Sequence, residues 1–202
     1  MSHHVAGSAG YDTHASELAR QYEQLRFEDV HRDVLHLMPS RPATVVDIGA
    51  GSGRDAAALA RLGHTVVAVE PTDALRAEGE RLHVDLPIQW RDDSLPALQA
   101  LRKEGRRYDL MLLSAVWMHL DAGERAEGMA ALAELLAPGG VAILSLRHGP
   151  VPEGRRMFDV SADETIALAA RHGLQACHRG MRDDVLGRPD VRWSVVALRQ
   201  PG

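Results

Sequence analysis

Three glycines punctuate the segment Val45-Val46-Asp47-Ile48-Gly49-Ala50-Gly51-Ser52-Gly53, which joins a β-branched run to a helix-forming one. Glycine has no Cβ, so a ligand can lie directly against such a backbone. The helix that follows opens with unpaired N–H groups. Asp47, near the end of the β-branched run, adds negative charge beside the loop. These features suit a cofactor. A dinucleotide fingerprint requires G-x-G-x-x-G. Counted from Gly49 and Gly51, its third glycine would fall at position 54, which is Arg54. The pattern is instead G-x-G-x-G, which weakens the dinucleotide reading where helix and strand must pack closely.

Other reactive types are sparse. The 11 histidines are scattered, with no His-x-x-x-His pair on a helix near an acid, so no metal site is expected. The single cysteine, Cys177, can form neither an internal disulfide nor a cysteine-based zinc site, and reads as an inert buried thiol. His3 and His4 belong to a start of unassigned origin.

The chain has 202 residues, 22.0 kDa, with 45% hydrophobic and 25% charged residues. That is one domain's worth of chain with an ordinary globular composition, which excludes disorder over its length. Its 23 Lys+Arg against 28 Asp+Glu leave a net charge of −5, so a strongly basic, phosphate-neutralising protein is not expected. No apolar run approaches the roughly 18 residues that span a bilayer, and residues 1–10 lack the pattern of a secretory signal. A cytoplasmic protein without membrane association is expected.

Strands and helices alternate around the glycine loop. Asp12–Leu37 reads as one or two helices ended by Pro39 and Pro42. Strands are expected at Thr44–Ile48, His64–Glu70, Pro87–Trp90, Tyr108–Ala115, Val141–Leu146, Leu174–His178 and Val191–Leu198. Helices are expected at Arg54–Leu62, Ala74–His83, Ser94–Lys103 and from Asp121 to about Leu136, with a further one opened by Ser161. Asp121/Glu124 and Ser161/Glu164 have capping-box spacing, and Thr72 or Asp73 suits a cap. Arg147–Val160 is the longest irregular stretch. This alternation implies an α/β, doubly wound, mostly parallel seven-stranded sheet with helices on both faces and an antiparallel last strand. Residues 1–40 would form an N-terminal helical cap and 41–202 the main domain, as one structural unit. Ligands in such sheets lie at the carboxyl ends of the strands.

Across residues 11–199 the chain resembles the class I S-adenosylmethionine (SAM)-dependent methyltransferases of the small single-domain bacterial type. Asp47-Ile48-Gly49-Ala50-Gly51-Ser52-Gly53 is similar to their glycine motif. Glu70 matches the ribose-binding acid, and Asp92-Asp93-Ser94-Leu95-Pro96 the segment that sets an acid by the adenine amino group. Tyr108–Ala115 and Leu135-Leu136-Ala137-Pro138-Gly139-Gly140 match the fourth strand and the turn before the fifth. The resemblance implies a Rossmann-like fold and in-line SN2 attack on the methyl group of SAM, giving S-adenosylhomocysteine.

It also implies a cofactor site of Tyr22, Asp47, Gly49, Ala50, Gly51, Gly53, Glu70, Pro71, Asp92, Asp93, Ser94, Ser114 and Ala115. Of the adjacent aspartates one would meet adenine, Asp93 by preference, while the other caps a helix or faces solvent. Tyr11 and Tyr22 resemble tyrosines that some members fold over the cofactor, although Tyr22 equally fits a helix core.

Catalytic candidates are His119, Arg147 and His148. His119 could act as a base or serve structure alone, and Arg147 and His148 could bind an anionic substrate or assist deprotonation. Trp117 could stack on the sulfonium or pack in the core. Arg155 and Arg156 could form a lid or a solvated basic loop.

The acidic balance favours a small-molecule acceptor; a monomer or homodimer is expected, though the sequence does not fix the oligomeric state. A tRNA or other nucleic-acid acceptor is the alternative, with Arg147, Arg155, Arg156, Arg179, Arg182, Arg188 and Arg192 as a local basic face. A non-catalytic SAM-binding protein and a nicotinamide-dependent oxidoreductase are the other classes considered. The acceptor, the methylated atom and any general base are not readable from the sequence.

Overall fold

The computed structural model describes residues 15–202. Tyr11, His3 and His4 lie outside the described residues. The sheet contains β1 (Thr44–Ile48), β2 (Thr65–Val69), β3 (Ile88–Arg91), β4 (Tyr108–Ser114), β5 (Leu136–His148), β6 (Gln175–Asp183) and β7 (Arg192–Arg199). The helices are α1 (Ala15–Glu23), α2 (Phe27–His31), α3 (Arg54–Arg61), α4 (Asp73–Leu82), α5 (Gln99–Glu104), α6 (Ala122–Leu135) and α7 (Ala162–Ala170). The strand order is β3-β2-β1-β4-β5-β7-β6.

Strands β1 to β5 are parallel, and β7 runs antiparallel to both of its neighbours. The antiparallel strand therefore lies one place in from the edge, and β6 is the edge strand. Its pairing with β7 is interrupted by a register shift between Ala176 and His178. At the other edge β3 has four residues.

The two-residue alternation of strands sorts the apolar side chains onto two faces. Val46, Ile48, Met111 and Leu113 face one side with Leu101 of α5 and Leu132 of α6. Val45, Leu110, Leu112 and Val195 face the other with Phe27 of α2 and Leu59 of α3. Phe27 and Val34 thus tie the N-terminal segment into the sheet's own core.

Several local expectations are corrected. The N-terminal segment is two short helices and a 3-10 turn at Leu35–Leu37. Helix α5 starts at Gln99 rather than Ser94, because Leu98 has φ +46°, a left-handed conformation that cannot continue a right-handed helix. Strand β5 runs through Pro138-Gly139-Gly140 with a shift in register beside Tyr108 and Leu110. Strand β6 extends five residues past His178, to Asp183.

Asp121 and Glu124 form a complete capping box. The second box is half-formed: Ser161 accepts the Glu164 N–H, but the Glu164 carboxylate accepts from Arg125. Thr72 precedes α4 without a side-chain cap. Cys177 is exposed on the edge strand rather than buried.

Candidate functional site

The carboxyl ends of β1, β2, β4 and β5 open into a cavity of about 490 Å³. Its first wall is the glycine loop. Gly49 and Ala50 donate their N–H groups to the Val69 carbonyl at 2.8 and 2.9 Å, which staples the loop to the end of β2. Gly49 has φ +71°, and a Cβ there would stand 2.5 Å from Val116 Cγ2. Gly53 does not line the cavity; a Cβ on it would stand 2.7 Å from the Trp90 ring. It therefore supplies the close packing that a dinucleotide fingerprint assigns to position 54. Arg54 stands there without conflict because its side chain turns to Asp55.

Glu70, at the end of β2, is the anchor of this wall. Its Oε2 accepts the Gly51 N–H and its Oε1 the Thr72 N–H, both at 2.9 Å. The carboxylate lines the cavity although the residue is 5% exposed. Burial raises its pKa, and the two backbone N–H groups only partly offset this. Each oxygen keeps a lone pair for a ligand hydroxyl. Tyr22 of α1 approaches the loop, 3.3 Å from where a Gly51 Cβ would be.

Pro71, Asp93 and Ser94 continue the same cavity. Asp93 accepts from the N–H groups of Ser94 and Leu101 at 2.9 and 3.0 Å, so it fixes α5 and faces the cavity together. Asp92 is half-exposed, 3.7 Å from Arg76, and does not reach the cavity. Successive side chains in extended backbone point to opposite sides, so only one of the pair can face inward.

Asp47 lines the floor of the cavity. It is 2% exposed and accepts the Ala56 N–H at 3.2 Å. Burial and the neighbouring Asp55 push its carboxyl well above the usual carboxylate range.

The floor's charged centre is Asp55, which the sequence reading did not single out. Its Oδ2 meets His31 Nε2 at 2.8 Å and accepts from Ser114 Oγ at 2.7 Å, while its Oδ1 accepts from Arg54 Nε at 2.7 Å. Burial pushes Asp55 up, but His31 and Arg54 outweigh it and hold the carboxyl below the usual range. Its position in the first turn after the glycine loop was the available signal. Ser114 and Ala115 line the cavity beside it. Ala115 has φ +61°, and its N–H donates to Ser145 Oγ at 2.9 Å.

Of the catalytic candidates, His119 and Arg147 line the cavity and His148 does not. His148 lies against Ser194 Oγ at 2.8 Å and Asp159 at 3.6 Å. His119 Nδ1 lies 2.6 Å from the Arg156 carbonyl. A carbonyl only accepts, so this nitrogen carries a proton. Burial lowers the His119 pKa against the pull of the Arg156 and Ala115 carbonyls.

Trp117 is fully buried and packs on Gly128 and Leu95, so it is a core residue rather than a wall of the cavity. The paired arginines diverge. Arg155 lines the cavity. Arg156 bonds Glu124 at 2.7 Å, Asp121 at 3.0 Å and the His119 carbonyl at 3.1 Å, which fastens the loop to the start of α6.

The last wall was not foreseen. The end of β6 and the turn after it bring Arg182, Asp184, Leu186 and Arg188 to the cavity, with Trp193 from β7. Asp184 orders this turn. It accepts from Arg188 Nε and Nη2 at 2.9 and 2.8 Å and from Trp193 Nε1 at 2.8 Å. The Arg188 hydrogen bonds hold its carboxyl below the usual range.

A family model described as a methyltransferase domain matches residues 18–175. The ribosomal protein L11 methyltransferase of Parasynechococcus marenigrum is 33% identical over 175 residues, covering 84% of this chain and 49% of that protein. A ubiquinone biosynthesis O-methyltransferase of Bartonella quintana is 32% identical over 118 residues, 57% of this chain and 45% of that one. The chain spans about half the length, or less, of the curated relatives it matches.

Among solved structures, the Burkholderia thailandensis 1,6-didemethyltoxoflavin-N1-methyltransferase, with bound 1,6-didemethyltoxoflavin and S-adenosylhomocysteine, is similar. The TM-score is 0.71 at 20% identity, covering 94% of this chain and 90% of that one. A TehB-like SAM-dependent methyltransferase from Corynebacterium glutamicum gives a TM-score of 0.69 at 18% identity, with 93% and 98% covered. At these identities the likeness is one of fold.

Proposed function

The chain belongs to the methyltransferase-domain family, and from that premise we propose that this SAM-dependent methyltransferase acts on a small-molecule acceptor. When bound, SAM supplies an activated methyl group on a sulfonium that leaves without assistance. Gly49, Ala50, Gly51, Glu70, Pro71 and Tyr22 would hold it on one side, with Asp93 and Ser94 beyond them. The chain fits the group: Gly49, Ala50 and Gly51 line the cavity with the Glu70 carboxylate, whose oxygens each keep a lone pair for a hydroxyl. Ser114 and Ala115 would flank the reacting end. Asp47 acts from below by fixing α3, and Gly53 by close packing. Asp92 and His148 take no part.

With a good leaving group in hand, the chain's main task is orientation, which contributes up to about 7–11 kcal/mol in well-oriented systems. His119 and Arg147 stand on the acceptor side. His119, with Nδ1 committed to the Arg156 carbonyl, would help to orient the acceptor.

The observation that carries the small-molecule reading is the fate of the basic residues. Arg156 pairs with Asp121 and Glu124, Arg179 with Asp163, Arg188 with Asp184, and Arg192 with Asp183. A face meant for nucleic-acid phosphates needs those charges unspent. Among the described residues no helix is long and apolar enough to cross a membrane.

The test is calorimetry with S-adenosylhomocysteine, then an acceptor screen read by its release. Turnover of small molecules that changes little with salt is expected. Turnover on tRNA with a steep salt dependence would overturn the reading.

A further inference from the structure

Arg182 is the penultimate residue of β6. It is 7% exposed and lines the cavity. Its guanidinium carbon stands 5.6 Å from the centroid of the Trp193 ring. Among the described residues, its Nε and Nη1 are buried without a hydrogen-bond partner, and it makes no ion pair. A guanidinium offers five donors and accepts nothing. Burying one with two nitrogens unbonded is costly, because the charge loses water and Asp33 and Asp184 only partly offset that loss.

The contrast with its neighbours is sharp. Arg54 is matched by Asp55, and Arg188 is gripped through two nitrogens by Asp184. Arg147, on the same cavity, has one hydrogen bond, to the Pro150 carbonyl. Between these cations the wall is apolar: Val185, Leu186 and Trp193.

We propose that the acceptor is a small molecule with an apolar body and a carboxylate, and that Arg182, supported by Arg147, binds that carboxylate while the body lies against Trp193 and Leu186. This rests on the SAM-methyltransferase reading above. A carboxylate is the chemistry that the planar fork matches best. SAM also carries a carboxylate. The guanidinium feels the charge of Arg54, which follows the glycine loop, so the two sources of the anion are told apart by what Arg182→Gln does to S-adenosylhomocysteine.

The probes are benzoate, phenylacetate and hexanoate, each against its neutral amide. Each is titrated by calorimetry into the full chain saturated with S-adenosylhomocysteine. At least one acid is expected to bind about tenfold or more tighter than its amide, the scale of a charged hydrogen bond. Arg182→Gln should abolish that preference and leave S-adenosylhomocysteine affinity within about twofold, since a factor of two lies far below one such bond. Arg179→Gln, whose native partner Asp163 lies outside the cavity, should keep it.

The proposal fails if no acid outperforms its amide, or if the preference survives Arg182→Gln. It fails too if Arg182→Gln instead weakens S-adenosylhomocysteine, because the guanidinium then serves the cofactor's own carboxylate. Should Arg182→Gln not fold, the wild-type acid-to-amide ratio and Arg147→Gln decide. A wild-type chain that binds no S-adenosylhomocysteine marks failure of the underlying reading instead.

Discussion

At the β1–β2 end of the cavity the backbone does the holding. Gly49, Ala50, Gly51 and Thr72 spend their N–H groups on the Val69 carbonyl and the Glu70 carboxylate, all at 2.8 or 2.9 Å. At the β5–β7 end, long side chains from separate segments do it: Arg156 fastens one loop and Asp184 the other. The first wall has its polar groups satisfied before any ligand arrives. The second keeps a buried guanidinium with two nitrogens that no hydrogen bond satisfies. One end is finished for a fixed ligand, and the other is completed by a ligand that brings its own charge.

The harshest way to break this contrast is Gly49→Val. The new Cβ would fall 2.5 Å from Val116 at φ +71°. A cost of about 3 kcal/mol or more is expected from the clash and the strained backbone together. Thermal unfolding should show it with loss of S-adenosylhomocysteine binding; an unperturbed melt would mean that the wall is not rigid.

Next comes Glu70→Ala. It should weaken SAM by about 1.5–3 kcal/mol, roughly 10- to 150-fold, through lost charged hydrogen bonds. Unchanged affinity would remove Glu70 from the site.

Asp184→Asn sharpens the other side. It should cost about 1–3 kcal/mol of stability by loosening Arg188 and Trp193, and leave S-adenosylhomocysteine affinity intact. A parallel loss of that affinity would show the walls to be coupled. The same carboxyl, held low in the fold, is matched by an unfolded chain that protonates first. Its contribution is therefore present above the ordinary aspartate range and lost as pH falls through it.

The smallest effect is at His119. Its folded pKa lies below 6.5, so the unfolded chain takes up the proton first and stability declines as pH falls through that value. His119→Asn should flatten the decline. An unaltered slope between about pH 7 and pH 5.5 would assign the decline to other groups.

The contrast also explains what could be read from the sequence. The glycine loop, Glu70 and Asp93 sit next to strand ends, where a local pattern fixes both conformation and position. The alternation of Val45 with Val46, or of Met111 with Leu112, carries the sheet in the same local way. Arg182 and Asp184 gain their meaning only from β7 crossing between β5 and β6, a long-range pairing with no local signature. For Trp117 the core reading holds, and His148 lies against Ser194 and Asp159. Each stands beside a site strand, but the side it faces is set by the turn or pleat it occupies. Leu98 was misjudged because its left-handed conformation belongs to a leucine, where no sequence rule expects it.

The two margins of the sheet carry a separate consequence, for the behaviour of the protein in concentrated solution. A sheet margin that is long, flat and apolar invites a strand from another molecule, and aggregation follows. Here β3 ends the sheet after four residues and turns the charged Arg91 toward Glu104. Strand β6 is longer, but it is broken by the Ala176/His178 bulge and carries Arg179 and Asp183 outward. Neither margin offers an even ladder of free backbone groups for a stranger to zip onto. The sheet terminates itself.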